Sequence, residues 1–520
     1  MLKRILDIFY SASTKIISWF SIIVIAIIGF ISFFTTVIYP TYTEGVSYKK
    51  NAFIVTLLVT VIALLILYFI YSSKRFKKLS VNKLAVAVSI YFSVGGLLWC
   101  ILANTWPYWD SLDLINCAKH LGVDNFTWNV GEYMYRFPYQ LFYVLIIKFC
   151  LWLFGESQVY LVLEVINAIC VGVTGCLLVK FSELLFGEKS AKMTGICLFL
   201  MFPLIYYCTF AYGNIPCIPF AIAALYYQAK YMKNGQVKNV LLSSIYLTIG
   251  ILLKSTIKIT MIAILIVWML WGIKEKNKKS IIYILIALLT YISINKIIVL
   301  FVTGYYGVDL SHGCPSIGWI AMGVDAENKN IQNAGVYNAL VWSCSPSDYT
   351  PEAISKISWE SIKNSISIFS NNLTYCLEFF IRKLIWIWGD PTYEGLVNGN
   401  WSYASEGYPI MAERSMTTVL HSVYYGKGYT VVLCISDLMQ FLTLIGAFIF
   451  AKKQLKNFAI EECAPALNLV GFFLIYILWE AKGQYSLVPY IILLCYIGRG
   501  LSALFDKIYN LKTSSKTNNV

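Results

Sequence analysis

"PYQLFYVLIIKFCLWLFG", residues 138–155, is apolar and almost long enough to cross a bilayer, and counting it as a span reverses the orientation of everything after it. Lys148 sits in its middle among aromatic residues, a pattern that suits a helix lying along the membrane surface better than one passing through it. The basic clusters decide between the two readings, because Lys and Arg accumulate in short loops on the cytoplasmic side. With 138–155 at the interface, "KRFKK" (74–78), "KYMKNGQVK" (230–238), "KEKNKK" (274–279) and "KKQLK" (452–456) all fall on one side. With 138–155 as a span, the last three clusters leave the first. The interfacial reading is therefore adopted.

The rest of the chain fits that frame. Of its 520 residues 58% are hydrophobic and 13% charged, with a mean hydropathy of +0.67, which places it among polytopic membrane proteins and outside soluble composition. Twelve apolar stretches are read as spans, near 16–38, 52–72, 83–104, 158–179, 191–211, 215–230, 239–253, 256–273, 281–302, 430–451, 463–479 and 485–505. The expected fold is an all-α polytopic membrane protein with both ends cytoplasmic. Its expected parts are two N-terminal anchor spans (1–82), a membrane core (83–302) with a large outer loop (105–157), an extracytoplasmic region (303–429), C-terminal spans (430–505) and a cytoplasmic tail (506–520). The net charge of +14 follows from loop lysines that encode orientation, so no nucleic-acid partner is expected, and the bilayer is the partner implied. The fourteen Cys form no CxxC pair and stand beside no His cluster, so neither zinc nor a disulfide framework is indicated. Cys314 and Cys344, both in the long outer loop, are a candidate pair for a disulfide if the exterior is oxidising. No cofactor is required, and no residue set suggests a divalent-metal cage.

Charges at membrane depth cost roughly 2.5–3.5 kcal/mol each on insertion scales, so those gathered at one boundary become candidates for function. In "NTWPYWDSLDLINCAKHLG" (104–122) two carboxylates, Asp110 and Asp113, follow the third span. The outer boundary also receives Lys254 and Lys258 from "LLKSTIKIT", Glu480 and Lys482 from "WEAKGQY", Arg136 ahead of the interfacial helix, and Arg382 and Lys383 from "FFIRKLIWIWGDPTYEG". Lys supplies a point charge and Arg a two-pronged clamp for a phosphate; a carboxylate accepts a proton from an attacking hydroxyl. Plainer roles stand beside these: the lysines as snorkelling headgroup contacts, Asp113 as a local cap, Glu480 and Lys482 as a structural ion pair. Trp319, Tyr337, Trp342, Trp386 and Trp388 offer faces for sugar stacking and equally suit a loop core or an interfacial belt.

"YWDSLDLINCAKHLG" followed by "YMYRFPYQLFYVLIIKFCLWLFGES" resembles the first outer loop of the GT-C superfamily of membrane glycosyltransferases, closest to bacterial relatives of the dolichyl-phosphate-mannose protein mannosyltransferases. Ala118 and Phe137-Pro138 stand where that family has an Ala and a Tyr-Pro element. The resemblance continues through "AYGNIPCIPF", "GILLKSTIKITMIAIL", "WIAMGVDAENKNIQNAGVYN", "RKLIWIWGDPTYEG" and "WEAKGQYSLVPYI", over roughly 83–505. It implies a polyprenyl-phosphate sugar as donor, a glycan, lipid or protein acceptor, a bacterial plasma membrane and an extracytoplasmic active site. It implies Asp110 as the catalytic base and Lys254 beside the donor phosphate, with Arg136 and Lys383 as weaker matches and Asp113 and Glu480 as further binding candidates. The chain departs from its relatives at Asn214, where many carry an acid, and at Gln484, where an Arg often stands. A transporter or flippase, and a lipid-linked polysaccharide polymerase or ligase, are the rival functions. The transporter reading is weakened because polar groups collect at one boundary instead of mid-membrane.

Overall fold

Proline and capping residues punctuate a chain that is otherwise free to form long helices. The computed structural model describes residues 2–39, 45–123, 126–327, 331–397 and 417–517. Seven helices among these are long and apolar enough to cross a membrane: Lys3–Phe34, Phe53–Ser72, Val81–Ala103, Glu156–Phe186, Ser255–Lys274, Lys279–Tyr306 and Lys427–Gln454. Three more stretches reach that length only as bent pairs. Pro203 breaks one, so that Glu188–Leu198 and Pro203–Thr209 meet at 57°; the pair Gly483–Leu493 and Cys495–Leu511 meets at 53°. The third, Val130–Arg136 with Pro138–Phe154, turns by 94° at Phe137, whose position before a proline disfavours helix. Lys238–Leu253 and Ala464–Leu478 are shorter apolar helices, and 215–230 is covered by the helix Cys217–Asn234.

The expectation of an all-helical chain needs one correction. The first stretch stops being helical at Phe34, and Thr35–Ile38 pairs antiparallel with Ser47–Lys50 as a two-stranded hairpin. Nor does the first helix stand apart as an anchor. Ser32 Oγ donates to the Trp388 carbonyl at 3.3 Å, the Val37 amide donates to the Gly389 carbonyl at 2.9 Å, and the Thr36 hydroxyl lies 2.9 Å from Asn51 Oδ1 and 3.0 Å from the Asp437 carboxylate. The segment expected as a tail continues as helix to Thr517, and its last three residues lie outside the described range, as do 398–416 of the outer region.

Helix packing follows membrane rules, in which small residues let backbones approach. Val81–Ala103 lies against Glu156–Phe186, where a Cβ on Gly172 would sit 2.0 Å from Ser93 Oγ. At the opposite extreme, Lys279–Tyr306 buries only one edge and leaves Ile281, Leu289, Ile297 and Leu300 at 58–64% exposure. Apolar surface of that extent requires lipid, not water.

The two ends of the bundle differ. At one, the basic junctions are knitted together: Lys189 pairs with Asp506 at 3.4 Å, Lys192 Nζ donates to the Lys77 carbonyl at 3.4 Å, Tyr71 donates to Asp506 at 2.6 Å, and Lys274 pairs with Glu461 at 3.2 Å. At the other, the hairpin, the segments 105–140, 207–216 and 254–258, the long outer region and the turn 479–485 converge. The apolar helix Leu141–Phe154 is tied in near that end, where Lys148 Nζ donates to the Lys119 carbonyl at 3.3 Å and Lys119 also pairs with Glu156 at the start of the next helix.

Candidate active site

A cavity of about 510 Å³ opens at the end where those segments meet. Three lysines (Lys254, Lys258, Lys482) and four carboxylates (Asp110, Asp113, Glu394, Glu480) line it, with aromatic rings filling most of the remaining wall.

Asp110 arrives there by local geometry. The helix ending at Ala103 is closed by Asn104 in the left-handed region (φ 43), and the extended segment through Pro107 leads to Trp109, after which Asp110 opens a new helix running to His120. Acidic residues in a first turn complement the helix dipole, which favours both Asp110 and Asp113. The two are one turn apart, and Asp113 is pushed up to about 6, first by desolvation and then by the charge of Asp110. Burial, and after it Asp110, also raises the phenols of Tyr133 and Tyr212, which marks both as neutral neighbours of that carboxylate.

Lys254 occupies the joint between Lys238–Leu253 and the next helix, outside both. Its ammonium stands 4.3 Å from the centroid of the Tyr212 ring, a cation–π contact. Gly213 makes this approach possible, since a Cβ there would lie 1.9 Å from the Leu253 carbonyl oxygen. Desolvation lowers Lys254 to about 8, against the raising effects of Cys217 and Asp110. Lys482 stands 5.0 Å from the centroid of Tyr337. The turn carrying it is fixed to the outer region by the Ala481 amide, which donates to the Gly335 carbonyl at 2.7 Å.

The acids opposite are held firmly. Buried Glu394 accepts from the Tyr39 hydroxyl at 3.0 Å and from the Gly483 amide at 2.7 Å. Asp390 shapes that loop by accepting from the Thr392 amide and hydroxyl, each at 2.8 Å, and from the Glu394 amide at 2.7 Å. Glu394 is raised to about 7 by burial, with Lys482 pulling the other way. Glu480, also buried, accepts from the Tyr485 hydroxyl. Trp319 and Trp479 stack nearly parallel, 5.7 Å apart at 9°, and both face the cavity.

Of the residues proposed from sequence, Asp110, Asp113, Lys254 and Glu480 come together here, along with Lys258 and Lys482. Arg136 and Lys383 do not line the cavity. Arg136 is fully buried, with Nε and Nη2 on Glu132 Oε1 (3.1 and 2.8 Å), Nη1 on the Val341 carbonyl (2.9 Å) and Nη2 on the Cys344 carbonyl (2.9 Å). It pins the outer region instead of clamping a ligand. Lys383, also fully buried, donates to the Gly323 carbonyl behind the wall, where desolvation lowers its ammonium well below the usual lysine range. Trp386 and Trp388 belong to the core, whereas Trp319, Tyr337 and Trp342 reach the cavity. Cys314 and Cys344 are free thiols.

Tyr39, Glu394, Tyr139 and Tyr485 were not anticipated. Glu394 had a signal in "GDPTYEG", where Asp, Pro and Gly announce a turn that must bury its own carboxylates. Tyr39 had none. The two departures from the family meet each other: Asn214 Nδ2 donates to Gln484 Oε1 at 2.8 Å. Among the described residues no group of three or more His, Cys, Asp or Glu is placed to hold a metal ion.

Residues 140–298 match the family described as dolichyl-phosphate-mannose-protein mannosyltransferase. None of the curated proteins compared with the chain matches it. Among solved structures, the archaeal oligosaccharyltransferase AglB from Archaeoglobus fulgidus, in complex with an inhibitory peptide and a dolichol-phosphate, is similar with a TM-score of 0.42 at 11% identity, over 83% of this chain and 52% of its own. This chain thus spans about half the length of that protein. ArnT from Cupriavidus metallidurans, bound to undecaprenyl phosphate, gives a TM-score of 0.31 at 14% identity over 80% of this chain and 78% of its own.

Proposed function

We propose that this chain, a relative of the GT-C membrane glycosyltransferases, transfers a sugar from a polyprenyl-phosphate donor to an acceptor hydroxyl at the cavity described above. The observation that carries the reading is the gathering of Asp110 and three lysines in one cavity at one end of the bundle. The donor enters with its lipid among the helices and its phosphate among Lys254, Lys258 and Lys482. The acceptor oxygen attacks the anomeric carbon as its proton passes to Asp110. The bond from that carbon to the phosphate oxygen breaks, and its electron pair stays on the phosphate, where the lysines stabilise the growing charge. A single displacement of this kind inverts the anomeric configuration.

The knitted lysine-rich junctions of the opposite end support placing that end on the cytoplasmic face. The cavity is then extracytoplasmic, the apolar helix Leu141–Phe154 lies at the outer boundary, and the acceptor is a glycan, lipid or protein of the envelope. Carriers concentrate polar groups at mid-membrane; the concentration of charge at one end favours surface chemistry.

The test is transfer of labelled sugar from polyprenyl-phosphate donors by the purified chain, set beside Asp110→Asn. Loss of transfer with donor binding intact supports the reading. Transfer at the parental rate by a folded Asp110→Asn protein removes Asp110 from the role of base.

A further inference from the structure

Six non-glycine residues among those described have a positive φ, and two of them, Trp109 and Glu394, line the cavity. Glu394 (φ 61) is fixed by the turn around Asp390. Trp109 is the more demanding case, with φ 42 and ψ −125. A positive φ with a strongly negative ψ lies outside the left-handed helical region and is a conformation for glycine. Strain of this kind persists where the surroundings or the function select the side chain.

Core burial does not account for the choice of Trp. The indole stacks on Tyr108, 5.2 Å between centroids at 29°, yet Trp109 remains 48% exposed, and it faces the cavity. Placement of Asp110 does not account for it either, because a glycine at 109 would adopt the same turn without strain and deliver Asp110 to the same first helical position. What glycine cannot supply is the ring.

We infer that Trp109 is a substrate-contacting residue whose indole stacks on the face of the pyranose held next to Asp110. The inference rests on the glycosyl-transfer reading and adds to it a sugar-ring contact fixed beside the reacting carbon. The apolar face of a pyranose and the π-face of an indole are complementary, and stacking contacts of aromatic rings are worth enough to change affinity several-fold. Trp106 serves as the internal comparison: it is 47% exposed in the same segment between the two helices, is not among the cavity-lining residues and has no positive φ, as befits a membrane-interface tryptophan.

The experiment uses the full chain in detergent or nanodiscs, with Trp109→Gly, Trp109→Ala, Trp109→Phe and Trp106→Ala. The probes are a panel of undecaprenyl-phosphate-linked sugars, with undecaprenyl phosphate alone as reference, and the readouts are binding, transfer kinetics and melting temperature. Expected for Trp109→Gly and Trp109→Ala alike is a loss of roughly 3- to 10-fold in affinity for the sugar-bearing lipid, with unchanged affinity for the bare lipid. Trp109→Phe keeps most of the affinity and Trp106→Ala all of it. Trp109→Gly melts above Trp109→Ala, since both lack the indole and only glycine relieves the backbone; a merely structural tryptophan would not separate stability from affinity in this way. If donor binding is unchanged and KM for a saccharide acceptor rises instead, the stacked ring is the acceptor's, and the inference stands with its source decided. If both substrates bind Trp109→Gly and Trp109→Ala as they bind the parent, the inference is overturned. If the parent itself binds no polyprenyl phosphate, the glycosyl-transfer reading fails first.

Discussion

Replacing Arg136 by methionine separates a ligand clamp from a structural pin. The guanidinium is fully buried, holds two backbone carbonyls (Val341 and Cys344, each at 2.9 Å) and Glu132, and lies 4.0 Å from the centroid of Tyr349 and 4.7 Å from that of Trp342. Methionine restores most of the stem's packing, but it leaves those carbonyls facing an apolar site. Each buried group stripped of its partner costs about 1–3 kcal/mol. Glu132 keeps 27% of its side chain in water and contributes less. The sum agrees with the roughly 3–5 kcal/mol found when one member of a buried ion pair is removed. Arg136→Lys retains the charge, but a single nitrogen cannot reach both the carbonyls and Glu132, so about half that loss is expected. Native-state hydrogen exchange over 339–349 is the assay, because local opening is read there without unfolding the whole protein. A loss of 3–5 kcal/mol appears as roughly a 10²- to 5 × 10³-fold drop in protection, with affinity for undecaprenyl phosphate unchanged in the folded protein. Full protection in Arg136→Met would refute the pin, and full protection together with lost phosphate binding would return Arg136 to the role of clamp.

Three further outcomes are expected. Asp110→Asn lowers the rate of transfer by about 10²- to 10⁴-fold, the usual worth of a positioned general base, while donor affinity measured by equilibrium binding stays within a factor of a few. Lys254 must carry its proton to stabilise the leaving phosphate and loses it as pH rises through about 8, so pH–rate profiles of the parent fall on that alkaline limb; Arg, charged to beyond pH 12, moves the limb upward in Lys254→Arg, and a limb that stays in place assigns it to another group. Asn214→Asp places a carboxylate in a buried site beside Gln484 and destabilises by about 1–3 kcal/mol; adding Gln484→Arg restores the melting temperature, and additivity of the two changes would show that the side chains do not communicate.

The membrane helices were legible because they rest on length and hydropathy, which act locally. At the stretch 138–155 the Lys148 ammonium, which set its reading apart, donates to the Lys119 carbonyl. Asp110, Lys254 and Glu480 were readable because each is a charge stranded at the end of an apolar run. What was not legible depends on which junctions touch. Arg136 and Lys383 satisfy the same sequence rule as Lys254, yet both are withdrawn behind the wall by carbonyls from distant segments, at Val341, Cys344 and Gly323. Tyr39 and Glu394 escaped notice for the converse reason, since their relation is made across more than three hundred residues by a single 3.0 Å hydrogen bond. The hairpin was hidden inside an apolar run whose β-branched end, "TTVI" (35–38), is equally compatible with helix or strand.

The pair Asn214–Gln484 joins two walls of the cavity. Taken singly, each departure from the family looks like the loss of a charge, one acidic and one basic. In the structure the two are a single contact at 2.8 Å, between the turn that positions Lys254 and the turn that carries Glu480 and Lys482. An acid and an Arg there would join the turns by a charged pair; two amides join them by a neutral one, which carries less desolvation cost and brings no net charge of its own to either wall. The amide pair adds no charge to the three lysines and four carboxylates that line the cavity. The three lysines of the cavity thus face no added charge from this contact, and the double change Asn214→Asp with Gln484→Arg would set a charged pair in the same joint.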